Sequence, residues 1–142
     1  MKKHLIYIIG ILASMTSCTI VTSDNGDLDG LWQLTIKENL QTGTVTDMRE
    51  KSVSWAFQGS LIQMNSLVVE EVTGQFIHTD DYLKVWNLNQ FSHQDGDTKI
   101  EDVRKLHQFG VYQLEPTFKV LELNKKTLQL QCDSIRLNFR KY

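Results

Sequence analysis

His78, Asp80 and Asp81 are the first residues of this sequence whose types and spacing suggest chemistry. A histidine beside an acidic pair could help to hold a metal ion or transfer protons. A metal site needs three or four converging ligands, however, and no further Cys, His or acidic residue stands at a suitable spacing. Asp80-Asp81 also separates two strand-like segments, a position typical of hairpin turns. We therefore predict a turn here and no metal site.

The sequence also lacks the local motifs of common enzymes and cofactor-binding proteins. It contains no Gly-x-Ser-x-Gly, His-Glu-x-x-His, Cys-x-x-Cys, phosphate loop or dinucleotide fingerprint. We expect neither catalytic residues nor a cofactor. Catalysis would require a site assembled from residues that are distant in the sequence.

The net charge is -2 and the basic residues are scattered. Nucleic-acid binding relies on concentrated Lys and Arg, so we expect no nucleic-acid partner.

The thiol of Cys18 is the second chemical candidate, because it follows a segment with the order of an export signal. Lys2-Lys3 form a positive start and residues 5–13 an apolar stretch. The tetrapeptide Met15-Thr16-Ser17-Cys18 resembles the lipobox of bacterial lipoproteins, in which an aliphatic and two small residues precede a lipidated cysteine. Met15 departs from the commoner leucine. The resemblance implies cleavage before Cys18 and a membrane anchor of several acyl chains on the new N-terminal residue.

This interpretation has two alternatives, a plain secretory signal followed by a chance cysteine and a retained transmembrane helix. The helix is disfavoured because nine apolar residues fall short of the ~20 that span a bilayer. We expect a lipid-anchored protein of the cell envelope, on the outer membrane, with the periplasmic or surface face undecided.

If Cys18 is acylated, Cys132 has no second cysteine with which to form a disulfide. We predict that Cys132 is a buried, unreactive thiol on the strand face of Leu128 and Leu130.

The chain divides into three parts. Residues 1–17 are the predicted signal peptide, residues 18–29 a polar, flexible tether, and residues 30–142 a single folded domain, as suits a chain of 142 residues. A hydrophobic fraction of 41% and a charged fraction of 23% are ordinary for a globular domain.

Period-two alternation dominates from Gly30 onward and predicts half-buried antiparallel strands. Trp32, Leu34 and Ile36, for example, alternate with polar neighbours. Near the end of the chain, the turn residues 124–126 and 133–134 join three adjacent strands. The sequence therefore predicts an up-and-down antiparallel sheet.

One segment breaks this alternation. Apolar residues recur every third position at Ile100, Val103, Leu106 and Phe109. Thr98 and Glu101 match a capping box, and Gly110 can end the element, so we predict one short helix after a polar loop at 92–97. We expect this helix to cover or plug one end of the sheet.

About eight evenly spaced strands predict an all-β, mainly antiparallel up-and-down barrel, because closure leaves no exposed edge; a sandwich is the alternative. Gly30-Leu31-Trp32 resembles the Gly-x-Trp signature of lipocalins, in which the tryptophan closes one barrel end under an arginine of the last strand. The resemblance implies this role for Arg136 or Arg140. With the lipobox and the segments 106–111 and 135–141, the chain is similar to the lipocalin-like lipoproteins of Bacteroidetes, a family without an assigned function.

A barrel of this size can enclose one small ligand or be filled by its own side chains, and the sequence leaves both open. Our leading hypothesis is a membrane-tethered protein that binds a small apolar or amphipathic molecule in the barrel. The alternative is a non-catalytic structural or accessory subunit that binds a protein of the envelope. The expected lining of a cavity is aromatic and consists of Trp55, Phe57, Phe76, Tyr82 and Trp86.

Overall fold

The computed structural model of the chain describes residues 23–142, so the predicted signal peptide, Cys18 and the first part of the tether lie outside the described residues. The described part contains ten strands and three short 3₁₀ helices, at Gly26–Leu28, Arg49–Lys51 and Val103–Phe109. The strands are β1 (Gly30–Asn39), β2 (Thr44–Asp47), β3 (Ser54–Gln58), β4 (Leu61–Asn65), β5 (Val72–His78), β6 (Tyr82–Ser92), β7 (Gly96–Lys99), β8 (Thr117–Leu123), β9 (Thr127–Cys132) and β10 (Ile135–Lys141).

Eight of the ten strands close into an antiparallel barrel in the order β1-β3-β4-β5-β6-β8-β9-β10. Pairing of β10 with β1, from Trp32 opposite Lys141 to Asn39 opposite Ile135, completes the ring. The remaining strands are short extensions, since β2 pairs with β1 and β7 pairs with β6. The predicted barrel is confirmed and the sandwich alternative is wrong.

The strands form where one face of the chain is apolar. In β3, Trp55 and Phe57 are at most 1% exposed, whereas Ser54 and Ala56, which precede them, lie outward. In β9 and β10 the buried residues again alternate with half-buried polar ones, and turns at 124–126 and 133–134 join β8, β9 and β10 as predicted. These strands bury one face in a shared core, and closure of the barrel pairs their backbone edges.

The predicted polar loop at 92–97 is wrong, because the chain forms a hairpin there between the end of β6 and β7. Strand β2 was not predicted either. All four residues of β7 are exposed, and so are three of the four in β2. Strands that bury neither face carry no hydrophobic alternation, which explains why both escape prediction.

The predicted helix is a 3₁₀ helix at Val103–Phe109, called the plug helix below. Three residues per turn account for the three-residue repeat of the apolar side chains. The predicted capping box is wrong, since Thr98 belongs to β7 and the cap is Asp102, whose carboxylate accepts from the Arg104 backbone N–H at 3.0 Å. Gly110 ends the element as predicted, in the left-handed region at φ 82°.

The plug helix closes the barrel end at which β1 finishes and β10 begins, called the plug end below. Leu106 and Phe109 are fully buried in the same core as the barrel strands. Gly110 lies against Leu137 of β10, so closely that a Cβ at this position would stand 2.6 Å from Leu137 Cδ2. The opposite end, where β1 begins, is called the Trp32 end.

Candidate functional site

Three of the five aromatic residues predicted to line a cavity meet inside the barrel. Trp55, Phe57 and Phe76 are at most 3% exposed. The ring centroids of Trp55 and Phe57 lie 6.3 Å apart, and those of Phe57 and Phe76 lie 5.1 Å apart. Trp55 also contacts Phe118 at 5.5 Å and Phe139 at 4.9 Å. These distances are those of packed aromatic pairs, so the rings fill the interior that a ligand would have to occupy.

The other two aromatic residues do not face the interior, and their predicted place in the lining is wrong. Tyr82 is 54% exposed on the outer face of β6, and Trp86 is half-buried on the same face. Leu83 and Val85 fill the inward positions instead. Both faces of this strand carry large apolar or aromatic side chains, so alternation alone could not show which face points inward.

The Trp32 end is closed as the lipocalin resemblance implied, but with a different cation. Trp32 is fully buried, and its Nε1 donates a hydrogen bond to the Leu28 carbonyl at 2.8 Å. Nζ of Lys141 lies 5.0 Å from the centre of the indole ring and donates to the Asp27 carbonyl at 2.9 Å. Gly30 stands at φ 118° with the Lys141 stem against it, which gives this glycine its structural role.

Neither Arg136 nor Arg140 packs over Trp32, so that implication is wrong. Nη1 of Arg136 pairs with Glu38 at 3.5 Å, and Nε of Arg140 donates to Gln33 at 2.7 Å. The two arginines lie between the inward positions of β10. Lys141 follows the buried Leu137 and Phe139 at the same period of two, so strand alternation could have identified it from the sequence.

The segment before β1 is fastened to the Trp32 end. Ser23 Oγ accepts from the Gly59 backbone N–H at 2.7 Å and donates to Asp29 at 2.6 Å, while Asn25 Nδ2 donates to the Gly59 carbonyl at 2.8 Å. Partial burial raises the pKa of Asp29, but hydrogen bonds from Ser23 and Asn25 and the charge of Lys141 outweigh it, and the net pKa is lowered. An ionised Asp29 therefore holds the start of the described chain in place at neutral pH.

Cys132 lies at the plug end, on the inward face of β9 that Leu128 and Leu130 share, as predicted. It is half-buried rather than buried and forms no disulfide within residues 23–142. With Phe118 and Ile135 it lines a depression of about 290 Å³. Burial and the charge of Asp133 raise the pKa of the thiol, so the protonated, unreactive form prevails at neutral pH.

His78, Asp80 and Asp81 form the end of β5 and the predicted turn before β6. Within residues 23–142 no group of three His, Cys, Asp or Glu side chains is arranged to hold a metal ion. None of the helices in this part of the chain is long and apolar enough to cross a membrane.

Comparisons with known proteins agree with this architecture. The family described as "Lipocalin-like domain" matches residues 13–142. A lipocalin-like protein from Bacteroides uniformis superposes with a TM-score of 0.64 at 24% identity, over 82% of this chain and 100% of the other. An uncharacterized protein from Bacteroides eggerthii gives 0.62 at 24% identity, over 81% and 99%. These likenesses show the fold, and no curated protein matches the sequence. The chain thus belongs to the lipocalin-like domain family.

Proposed function

We propose that this protein is a lipoprotein of the bacterial outer membrane, anchored through Cys18, whose barrel acts without catalysis through its outer surface. The observation that carries the proposal is the filled interior. Trp55 packs against the rings of Phe57, Phe118 and Phe139, and 23 buried hydrophobic residues of the described chain form one core. A ligand inside the barrel would have to displace packed side chains, whereas a ligand or partner on the outer surface would not.

The proposed anchor sets the orientation of the barrel. Ser23, the fifth residue after Cys18, is tied to the Trp32 end. Five residues span at most about 18 Å when fully extended. The Trp32 end would therefore face the membrane, and the plug end would point away from it.

The plug end presents an apolar feature that a protein partner in the envelope could contact. Leu67 and Val68, in the loop between β4 and β5, are 76% and 85% exposed. This loop lies beside the plug helix, where Ser66 Oγ donates to Gln108 Oε1 at 3.1 Å. The two side chains border a depression of about 390 Å³ that is also lined by the buried Val53 and by the charged side chains of Lys37, Glu50 and Lys51. Adjacent aliphatic side chains held in water beside such a depression are typical of a contact surface.

A second candidate function is the binding of a small apolar or amphipathic molecule at the plug end. It is favoured by the depression of about 290 Å³, which reaches from Cys132 to the Phe118 ring. Phe118 contacts Trp55 directly, so a ligand that enlarged this depression would meet the aromatic cluster. Stoichiometric co-purification of an apolar molecule would favour this candidate over the outer surface.

Replacement of Cys18 by serine tests the anchor. We expect the variant to lose incorporation of labelled palmitate and to leave the membrane pellet after ultracentrifugation, because serine has no thiol to form the thioether. The matched control is Cys132→Ser, which removes the other cysteine and should keep both properties. Palmitate labelling that persists in Cys18→Ser would contradict the proposal, whatever the result for Cys132→Ser.

A further inference from the structure

A depression of about 510 Å³ on the outer face of the barrel collects five uncharged amide side chains. They come from four neighbouring strands and form what we call the carboxamide groove: Gln58, Gln63, Gln75, Asn87 and Asn89. Among the described residues that line the groove, the charged one is Asp97, which the β6–β7 hairpin contributes.

Two features of the backbone bring these amides together. Strand alternation turns Gln63 and Gln75 outward, because Ile62 and Phe76 beside them are buried. A bulge then interrupts the pairing of β5 with β6: Thr73 stands opposite Asn89 and Gln75 opposite Trp86, so β6 contains one extra residue. Asn87 takes up the bulge at φ 54°. Bulges redirect side chains, and here both Asn87 and Asn89 reach the groove.

The amides are available to a ligand. Within residues 23–142 the hydrogen bonds of the five side chains are confined to Asn89 and Asn87: Asn89 Nδ2 donates to the Asn87 backbone carbonyl at 2.7 Å and to Asn87 Oδ1 at 3.4 Å. Each carboxamide offers two donors and an acceptor. The three glutamine side chains therefore present their full hydrogen-bonding capacity to the groove.

This composition selects the chemical class of the ligand. The glutamine amides would lose hydrogen bonds to water if an apolar molecule covered them. An anion in the groove would find no cation among its described lining residues and would be repelled by Asp97, and in the adjoining depression Lys99 is balanced by Glu115. Neutral hydroxyl groups both donate and accept, which matches carboxamides, and Asp97 can accept from a hydroxyl.

Trp86 adds an aromatic surface beside the amides. It pairs across the strands with Gln75 and lines an adjoining depression of about 720 Å³ that shares Gln75 and Asn87 with the groove. Its half-buried ring combines an apolar body with a polar edge. Such a ring can cover the C–H face of a sugar while neighbouring amides bind the hydroxyl groups.

We propose that the carboxamide groove, with Trp86 at its border, binds a neutral carbohydrate. The inference deepens the proposed function, on which it rests, by naming a ligand for the outer surface. The amides bind vicinal hydroxyl groups, and Trp86 lies against a sugar ring. By this assignment, anionic polysaccharides bind the groove more weakly than neutral ones.

The test is an array of neutral oligosaccharides of glucose, galactose, mannose or xylose, printed beside uronic-acid and sulfated oligosaccharides. The full-length protein is applied in lauryldimethylamine oxide, a detergent without a sugar head group. The best neutral ligand is then titrated by calorimetry. We expect saturable binding to at least one neutral oligosaccharide and a weaker response to charged ones.

Two variants and one matched control test whether the oligosaccharide binds at the carboxamide groove. Gln75→Leu and Trp86→Ala should each weaken the affinity by about tenfold or more, since one leaves ligand hydroxyls without a partner and the other removes the ring. Gln131→Leu makes the same change on the outward face of β9, where Gln131 is also half-buried, and should not alter the affinity. Circular dichroism checks that all variants are folded.

Several results would overturn the inference: no binding to neutral oligosaccharides at millimolar concentration, preference for charged ones, or equal affinity of Gln75→Leu and the wild type. These results can be distinguished from a failure of the proposed function. If the protein binds no carbohydrate and its interior holds no ligand, only the carbohydrate inference is wrong and the outer-surface proposal stands. If the protein carries a stoichiometric apolar molecule in the barrel, the outer-surface proposal itself is wrong.

Discussion

Replacing Trp55 with alanine should lower the free energy of unfolding by about 3–5 kcal/mol, the usual cost of deleting a buried Trp or Phe side chain. Trp55 is fully buried and its ring lies 4.9 Å from Phe139 and 5.5 Å from Phe118. Alanine would leave a void at the centre of the barrel, and the surrounding strands are too closely paired to collapse into it. Urea unfolding followed by far-UV circular dichroism measures the change.

Two companion variants make this prediction specific. Trp86→Ala removes the same side chain from the outer face of the barrel, where it is half-buried, and should cost about 1 kcal/mol. Trp55→Phe should cost far less than Trp55→Ala, because Nε1 of Trp55 is buried without a hydrogen-bond partner in the described part of the chain. Leaving such a donor unpaired costs about 1–3 kcal/mol, which phenylalanine recovers. Equal losses for Trp55→Ala and Trp86→Ala would contradict a filled interior.

Gly110→Ala should have the second largest effect, a loss of about 2–5 kcal/mol, the sum of a backbone cost and a packing cost. The left-handed conformation of Gly110, at φ 82°, costs a residue with a Cβ about 1–2 kcal/mol. The added Cβ would also stand 2.6 Å from Leu137 Cδ2, and such overpacking costs about 1–3 kcal/mol. The same urea titration measures the loss.

Gly43→Ala is the matched control for this variant. Gly43 has φ 75°, and a Cβ added to it would have no neighbouring atom within 4 Å, so this variant should show only the backbone cost of about 1–2 kcal/mol. A Gly110→Ala protein no less stable than Gly43→Ala would mean that the plug helix does not pack against β10.

The parts of the fold that could be predicted are those with one apolar face. Trp55 and Phe57 in β3 alternate with small or polar neighbours, and β9 and β10 behave likewise. Prediction failed for strands that carry apolar residues on both faces or on neither face. In β6 apolar and aromatic residues occupy both faces, so alternation could not show that Tyr82 points outward. The exposed β7 carries no apolar signal at all.

The carboxamide groove could not be predicted from the sequence. Its amides are spread from Gln58 to Asn89 and belong to four strands, so no local spacing joins them. Their convergence depends on the strand register and on the bulge at Asn87. The contact of Lys141 with Trp32, by contrast, could have been predicted from the sequence, because alternation from Leu137 and Phe139 places Lys141 inward.

Native mass spectrometry of the full-length protein, extracted from the membranes of its own host, tests the filled interior most directly. We expect the mass of an acylated chain that begins at Cys18, without an apolar molecule bound in stoichiometric amount. Release of one apolar molecule per chain on unfolding would contradict the filled interior and the outer-surface function together.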